Sequence, residues 1–213
     1  MKILAVSVGS GRDIGAGPSG AVQSAIFKQP IDDKVMLRLR GLDGDVQVDV
    51  DVHGGFERAV LVYSWNNYAI WSKELGRDDL VFGEFGENFT VEGMLDGDVH
   101  IGDVYQVGDS VVEITHGRIP CQKLGIRFGD PHFPKIFLKS LRTGFFLRVL
   151  EEGRVEAGDS FRLVAIGPER ISVKEAVDLL HRDDPNSDRL EVLGSLSALA
   201  LSWRKRVEQK LSQ

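Results

Sequence analysis

Cysteine is nearly missing from this chain: one thiol, Cys121, stands among 213 residues. A single cysteine cannot close an intrachain disulfide, which excludes secreted disulfide scaffolds and thiolate-only metal clusters; the expected compartment is a reducing one, the cytoplasm. Long apolar runs are missing too. The first, in "MKILAVSVGSGRD", breaks at Gly9 and is too short for a membrane span or a signal-peptide core, so no membrane partner is expected. Positive charge is not in excess, with 26 Lys+Arg against 32 Asp+Glu and a net charge of -6. That balance argues against a nucleic-acid-binding surface and leaves room for a local basic pocket around a small anion. No internal repeat or low-complexity segment occurs.

What is present is an ordinary globular composition, 42% hydrophobic and 27% charged, long enough for a substantial core. The 24 glycines fall between short stretches rich in valine, isoleucine and phenylalanine, which read as strands. "KILAVSV", "DVYQV", "SVVEIT", "GFFLRVL" and "DSFRLVAI" are such stretches, with Gly-Asp or Glu-Gly pairs at 102–103, 108–109, 152–153 and 158–159 as turns. "DVQVDVDVH" alternates strictly and predicts a half-buried strand with Val46, Val48, Val50 and Val52 on its buried face. Together these predict a mainly β fold, a barrel or sandwich, interrupted by one helix over "YSWNNYAIWSKEL".

After Gly167-Pro168 the pattern changes, suggesting a division into residues 1–167 and a helical module over 168–213. Ser172 and Glu175 form a capping box ahead of Val173, Ala176, Val177 and Leu180 on one helical stripe. Asp188 with Glu191 reads as a second cap, and Leu196, Leu199, Ala200, Trp203, Val207 and Leu211 form a further stripe. These apolar stripes need burial, against the β domain, a redox partner or a second copy in a homodimer.

Several segments could carry chemistry. In "RIPCQKL" the thiol of Cys121 sits between Arg118 and Lys123, cations that favour the thiolate, which is both nucleophile and metal ligand. Free cysteine is also a common buried hydrophobe, so the thiol alone decides nothing. "GAGPSG" fits the dinucleotide spacing but is rejected: its strand ends too early and Pro18 stands where the phosphate-binding helix should open. "VHGGFERA" offers backbone amides at Gly54 and Gly55 with His53 and Arg58 beside them, suited to an anion or to a plain turn. Asn88 in "FGENFT" suits a heterocycle edge or an Asx-turn. A Cys-His-Asn hydrolase built from Cys121, one of His53, His116 or His132, and Asn88 is a further option.

Taken in order, "GLDGDVQVDVDVHGG", "FGENFT" and "GRIPCQKL", with "SAIFKQP" and "TGFFLRVLEEGRVEAGD" at either side, resemble the MOSC domain, and within it the YiiM-type proteins with a C-terminal three-helix extension. The resemblance spans nearly the whole chain. It implies a MOSC β-barrel with a few helices and Cys121 as the thiolate ligand of a molybdenum cofactor of the molybdopterin type, in an enzyme reducing N-hydroxylated bases and related small molecules. A separate electron-donor protein is implied, because no haem, iron–sulfur or flavin motif is visible. By the same resemblance Ser24, Lys28, His53, Gly54, Gly55, Arg58, Asn88, Arg118, Lys123 and Arg148 belong to the cofactor pocket. The family also implies an alternative, a sulfur carrier holding a persulfide on Cys121. "HGR" at 116–118 departs from the family's glutamine-proline-arginine wording, which affects substrate selection rather than the thiolate.

Overall fold

The computed structural model describes residues 1–17, 20–48 and 55–212. Its centre is an eight-stranded sheet. In chain order its strands are β1 (Lys2–Val8), β4 (Gln29–Ile31), β7 (Val60–Ser64), β8 (Phe89–Glu92), β9 (Val104–Val107), β10 (Ser110–Gly117), β11 (Phe145–Glu151) and β13 (Arg162–Ala165). Their spatial order is β13-β9-β10-β11-β7-β8-β1-β4. Every neighbouring pair is antiparallel except β7 with β8. That central pair is covered on both faces, and β7 reads VLVYS with all five residues buried, the continuous apolar run such a strand needs.

The predicted barrel is found as a curled, open sheet, a half-barrel. Its ends approach through the residues just before β13: Ile3 N–H donates to Asp159 O at 2.8 Å, Gly158 N–H to Ile3 O at 2.8 Å, and Phe161 N–H to Met1 O at 3.1 Å. Small sheets flank it, β5 (Val35–Arg38) between β6 (Gly41–Leu42) and β12 (Gly153–Val155), and a ribbon of β2 (Arg12–Gly17) with β3 (Gly20–Ser24). Of "GAGPSG", Gly15 to Gly17 lie in β2 and Gly20 opens β3, and β3 is not followed by a helix. The turn at Gly108 requires glycine: its φ is 54°, and a Cβ there would lie 2.3 Å from Arg154 O.

Helices are more numerous than "a few"; six α-helices occur among the described residues. The first, α1 (Asn66–Leu75), is the helix expected from sequence, burying Tyr68 and Trp71. Two seven-residue helices, α2 (Gln122–Phe128) and α3 (Phe133–Lys139), connect β10 to β11 and lacked a sequence signal because neither has a side-chain cap. They bury Leu124, Phe133 and Phe137 beside Tyr63, Trp71 and Phe85 in a second, aromatic core.

The tail forms α4 (Val173–His181), α5 (Ser187–Ser195) and α6 (Leu201–Leu211). Ser172 caps α4 as expected, its Oγ accepting from Glu175 N–H at 3.1 Å. The cap of α5 is Asn186, which accepts from Arg189 N–H at 2.9 Å; Asp188 lies in the first turn instead. Leu211 is exposed, and the rest of the last stripe is buried. The stripes face the β sheet: Val173, Val177, Leu193, Trp203 and Val207 belong to one apolar cluster with Ile114, Phe145 and Leu147. A Cβ on Gly117 would lie 2.3 Å from Val177, so α4 rests directly on the end of β10. Asp103 fastens the connection, accepting from Gly167 N–H at 2.9 Å and from the Arg170 guanidinium at 2.7 Å.

One sequence expectation is reversed. Residues 45–48 are not a strand, and Val46 and Val48 are 44% and 37% exposed. The alternation is real but its polar side faces inward, because Asp45 and Gln47 supply acceptors that buried donors require. Val50 and Val52 lie outside the described residues.

Candidate functional site

A cavity of about 420 Å³ opens where the end of β10, the start of α2, the residues after β3 and the tail helix α6 converge. β10 delivers His116 and, just beyond its end, Arg118; the extended Ile119-Pro120 segment then places Cys121 at the N-cap of α2, with φ −121° and ψ 177°. Cys121 is half-buried and lines the cavity. Lys123, in the first turn of α2, lines it too. Arg118 is buried, with its backbone N–H donating to Gly144 O at 2.9 Å and its guanidinium to Phe85 O. Burial lowers the Arg118 pKa, and electrostatic attraction to Cys121 is the largest effect opposing it.

The opposite wall is organised around Asp45, which sequence reasoning missed. Its Oδ1 accepts from Lys28 Nζ at 2.5 Å and from Gly9 N–H at 2.7 Å, and its Oδ2 from Asn88 Nδ2 at 2.9 Å. Lys28 is thereby held as a buried ammonium beside the cavity, its pKa lowered by desolvation and raised in opposition by Asp45. Asn88 lines the cavity, but its amide is used within the protein: Oδ1 accepts from Leu61 N–H at 3.1 Å, and Nδ2 also donates to Ser7 O at 3.2 Å. Ser24 borders the cavity with its Oγ accepting from Ile26 N–H at 3.2 Å. The signal for Asp45 was the polar half of the alternating "DVQV".

The third wall is aromatic. His116 is 1% exposed, stacks on Phe146 at 5.0 Å between ring centroids and meets Trp203 of α6 at 5.5 Å. Arg58 Nε donates to His116 Nε2 at 3.2 Å; an arginine can only donate, so the ring proton is on Nδ1, 2.9 Å from Thr115 Oγ1. Burial, then Arg58 and Arg206, push the His116 pKa well below 6.5. With both ring nitrogens engaged, His116 is not placed as the base of a Cys-His hydrolase, and His132 is an exposed residue at the start of α3. Arg58 also donates to Ser202 Oγ at 3.0 Å, tying the short 3-10 turn at Phe56–Arg58 to α6. The Glu57 carboxylate completes that tie, accepting from Leu201 N–H at 3.0 Å.

Two described residues expected in the pocket, Gly55 and Arg148, are not among those lining it. Gly55 lies outside the cavity lining, with φ 102° and its N–H donating to Gln47 Oε1 at 3.1 Å. His53 and Gly54 lie outside the described residues. Arg148 is a correction: it sits in β11 opposite Glu113 of β10 and donates to that carboxylate at 2.5 Å, a cross-strand ion pair away from the cavity. Sequence also missed Trp203, Arg206 and Phe146, all lining the cavity. Among the described residues no group of three or more His, Cys, Asp or Glu could hold a metal ion, and no helix is long and apolar enough to cross a membrane.

With the strands and the cavity at the end of β10 in place, the chain can be set beside known proteins. The MOSC domain model matches residues 49–162, and the YiiM-like, 3-alpha helix domain model matches residues 171–213. The chain belongs to the MOSC family, in its YiiM-type branch. It is 38% identical over 189 residues to uncharacterized protein YflK of Bacillus subtilis (strain 168), covering 89% of this chain and 85% of that protein. A protein of Gibberella moniliformis (strain M3125 / FGSC 7600) named "Reductase" is 36% identical over 162 residues, 75% of this chain and 29% of that protein. The crystal structure of YiiM from Geobacillus stearothermophilus superposes with a TM-score of 0.83 at 27% identity, covering 99% of this chain and 98% of that one.

Proposed function

We propose that this protein is a molybdenum-cofactor oxidoreductase that reduces N-hydroxylated compounds such as N-hydroxylated bases, with the Cys121 thiolate as its protein ligand to molybdenum. The observation that carries the reading is the charge of the cavity: a half-buried thiol shares it with Lys28, Arg58, Arg118, Lys123 and Arg206, while Asp45, the one carboxylate lining it among the described residues, is occupied by Lys28, Gly9 and Asn88. The donor set fits an anionic pterin cofactor, with soft sulfur for the metal and cations for the phosphate. A volume of about 420 Å³ is also within the range of small-molecule sites. MOSC membership and the name of the fungal relative point the same way.

Such a cofactor supplies two-electron exchange, and the overall change is R–NH–OH plus two electrons and two protons giving R–NH2 and water. The chain's own part is to bind and orient. Arg118 favours the thiolate at Cys121; Lys28 and Lys123, with Ser24 and Asn88 beside them, would contact the cofactor's polar groups, and Arg58 would border its anionic end. Phe146, backed by the buried neutral His116 ring and Trp203, excludes water on one side. Electrons come from a separate donor protein, in the cytoplasm.

The test is molybdenum and pterin content of protein made in a cofactor-producing host, with Cys121→Ala beside it. Near-stoichiometric metal lost in the variant, at a stability within about 1 kcal/mol of the original, is expected. Neither metal nor pterin, together with a sulfur adduct on Cys121 that reduction removes, would replace this reading by the sulfur carrier. That reading uses the thiol but leaves the cationic cavity without a role.

A further inference from the structure

The segment "FGENFT" contains a second buried carboxylate, Glu87, beside Asn88. It gathers four donors. Its Oε1 accepts from Gly83 N–H at 3.1 Å, from Thr90 Oγ1 at 2.8 Å and from the Tyr68 hydroxyl, and its Oε2 accepts from Phe85 N–H at 3.1 Å. A carboxylate is acceptor-only when ionised, and this set of donors uses both of its oxygens.

The two backbone bonds to Glu87 hold a compact turn. Glu84 N–H donates to Val81 O at 3.0 Å and Gly86 N–H to Gly83 O at 2.9 Å, with Gly83 and Gly86 both at φ 81°. Carbonyls of that turn meet cations on either side of Cys121. Phe85 O accepts from the Arg118 guanidinium, just before the thiol in sequence, and Glu84 O accepts from Arg127 Nε, just after it. The Glu84 carboxylate adds a second bond to Arg127 at 3.1 Å. Gly86 lines the cavity together with Arg118 and Cys121. The neighbouring Asn88 serves the opposite wall, where its amide donates to Asp45, the partner of Lys28.

We infer that Glu87 is a positioning residue of the Cys121 site: its carboxylate holds the turn so that Phe85 O keeps the Arg118 guanidinium at the cavity wall. That role rests on these bonds; only the identity of the anion it serves, the cofactor, rests on the proposed function. A neutral isostere cannot do the same. In Glu87→Gln the amide NH2 meets Phe85 N–H in one orientation and Gly83 N–H in the other, so a donor faces a donor and one end of the turn must open. The charge of Glu87 acts in the other sense. Through space a buried anion repels an incoming one, so its removal alone would help an anion approach the thiol. Position and charge therefore predict opposite signs.

Cys121 is the only thiol in the chain, so alkylation reads this site alone. The full-length protein, made in a host without the cofactor, is labelled at a single pH with iodoacetate and with iodoacetamide, and both rates are followed by intact mass. Their ratio reports local charge, because the thiolate fraction cancels. Arg118→Gln should lower the ratio about threefold, the effect of a unit charge roughly 6 Å from the reagent carboxylate in water. Glu87→Gln should lower it about twofold or more, and should not lower it further in the Arg118→Gln background. Tyr68→Phe removes one bond to Glu87 but keeps both backbone bonds, and should leave the ratio unchanged. Gly83→Ala keeps every charge and strains the same turn at φ 81°, so it should also lower the ratio; it decides the matter if Glu87→Gln yields no folded protein. A ratio unchanged or raised in Glu87→Gln, lowered as much by Tyr68→Phe, or unaffected by Arg118→Gln would each overturn the inference. Molybdenum and pterin content of protein from a cofactor-producing host is read separately. Protein with neither that shows the expected ratios would keep the positioning role and remove the reductase.

Discussion

Replacing Asp45 by Asn keeps the shape and one acceptor oxygen while removing the charge that holds Lys28. The pair is buried, with side chains 9% and 8% exposed, and its Nζ–Oδ1 distance is 2.5 Å. Removing one member of such a pair leaves an uncompensated buried charge and costs about 3–5 kcal/mol. The cost has a ceiling, because Lys28 can lose its proton: the roughly 3.5 pH units between pH 7 and the ordinary lysine value of 10.5 correspond to about 5 kcal/mol. The sign of the pH dependence follows. Burial already lowers the Lys28 pKa, so between the folded and unfolded values the unfolded chain binds more protons and stability rises with pH. Without Asp45 the folded value falls further, so the Asp45→Asn deficit should be largest near neutrality and narrow as the pH approaches 10. Urea unfolding followed by far-UV circular dichroism at pH 7, 8.5 and 10 measures this. Adding Lys28→Met to the Asp45→Asn variant should restore more than half of the loss, since the orphaned charge is then gone. A single variant within about 1 kcal/mol of the original at pH 7, or a double variant no better than the single, would refute the reasoning.

Two further outcomes follow from buried contacts. Burial raises the Asp96 carboxyl from 3.8 to about 6 against the N–H groups of Gly144 and Thr143, both of which donate to Oδ1. A raised folded value means stability present below 3.8 and lost as the pH rises through 6, by at most about 3 kcal/mol; Asp96→Asn keeps the accepting oxygen, so its stability should stay flat over pH 4–7, and an unchanged pH slope would count against this account. Gly117→Ala puts a methyl 2.3 Å from the buried Val177 side chain, and should lower stability by about 1–3 kcal/mol and shift the denaturation midpoint; a midpoint equal to the original would show that α4 can move off β10 freely.

Much of this arrangement was legible locally. The turn glycines at 102, 108 and 158 all have positive φ, and the Ser172 cap and helix α1 followed from patterns within a few residues. Cys121 between two cations was visible at once. What escaped was the side of the "DVQV" alternation that turns inward, because a period of two marks two faces without saying which one meets donors. Only the fold brings Gly9, Lys28 and Asn88 to Asp45. Arg148 misled for the complementary reason: its partner Glu113 is 35 residues away and is set by the β10–β11 register. The part α6 plays in the cavity depends on contacts between Glu57 and Leu201, 144 residues apart, which no local pattern carries.

The wall formed by α6 has a bearing on assembly in the cell. A ribosome delivers a chain from its N-terminus, and domains fold as they emerge. Ser24, Lys28, Asp45, Asn88, Arg118 and Cys121 are therefore all outside the tunnel before Trp203 and Arg206 are made. For that interval the cavity has its thiol and its inner cations but one side missing, and the gap closes when Leu201 reaches the Glu57 carboxylate. The entrance to the cavity is therefore at its widest before α6 docks.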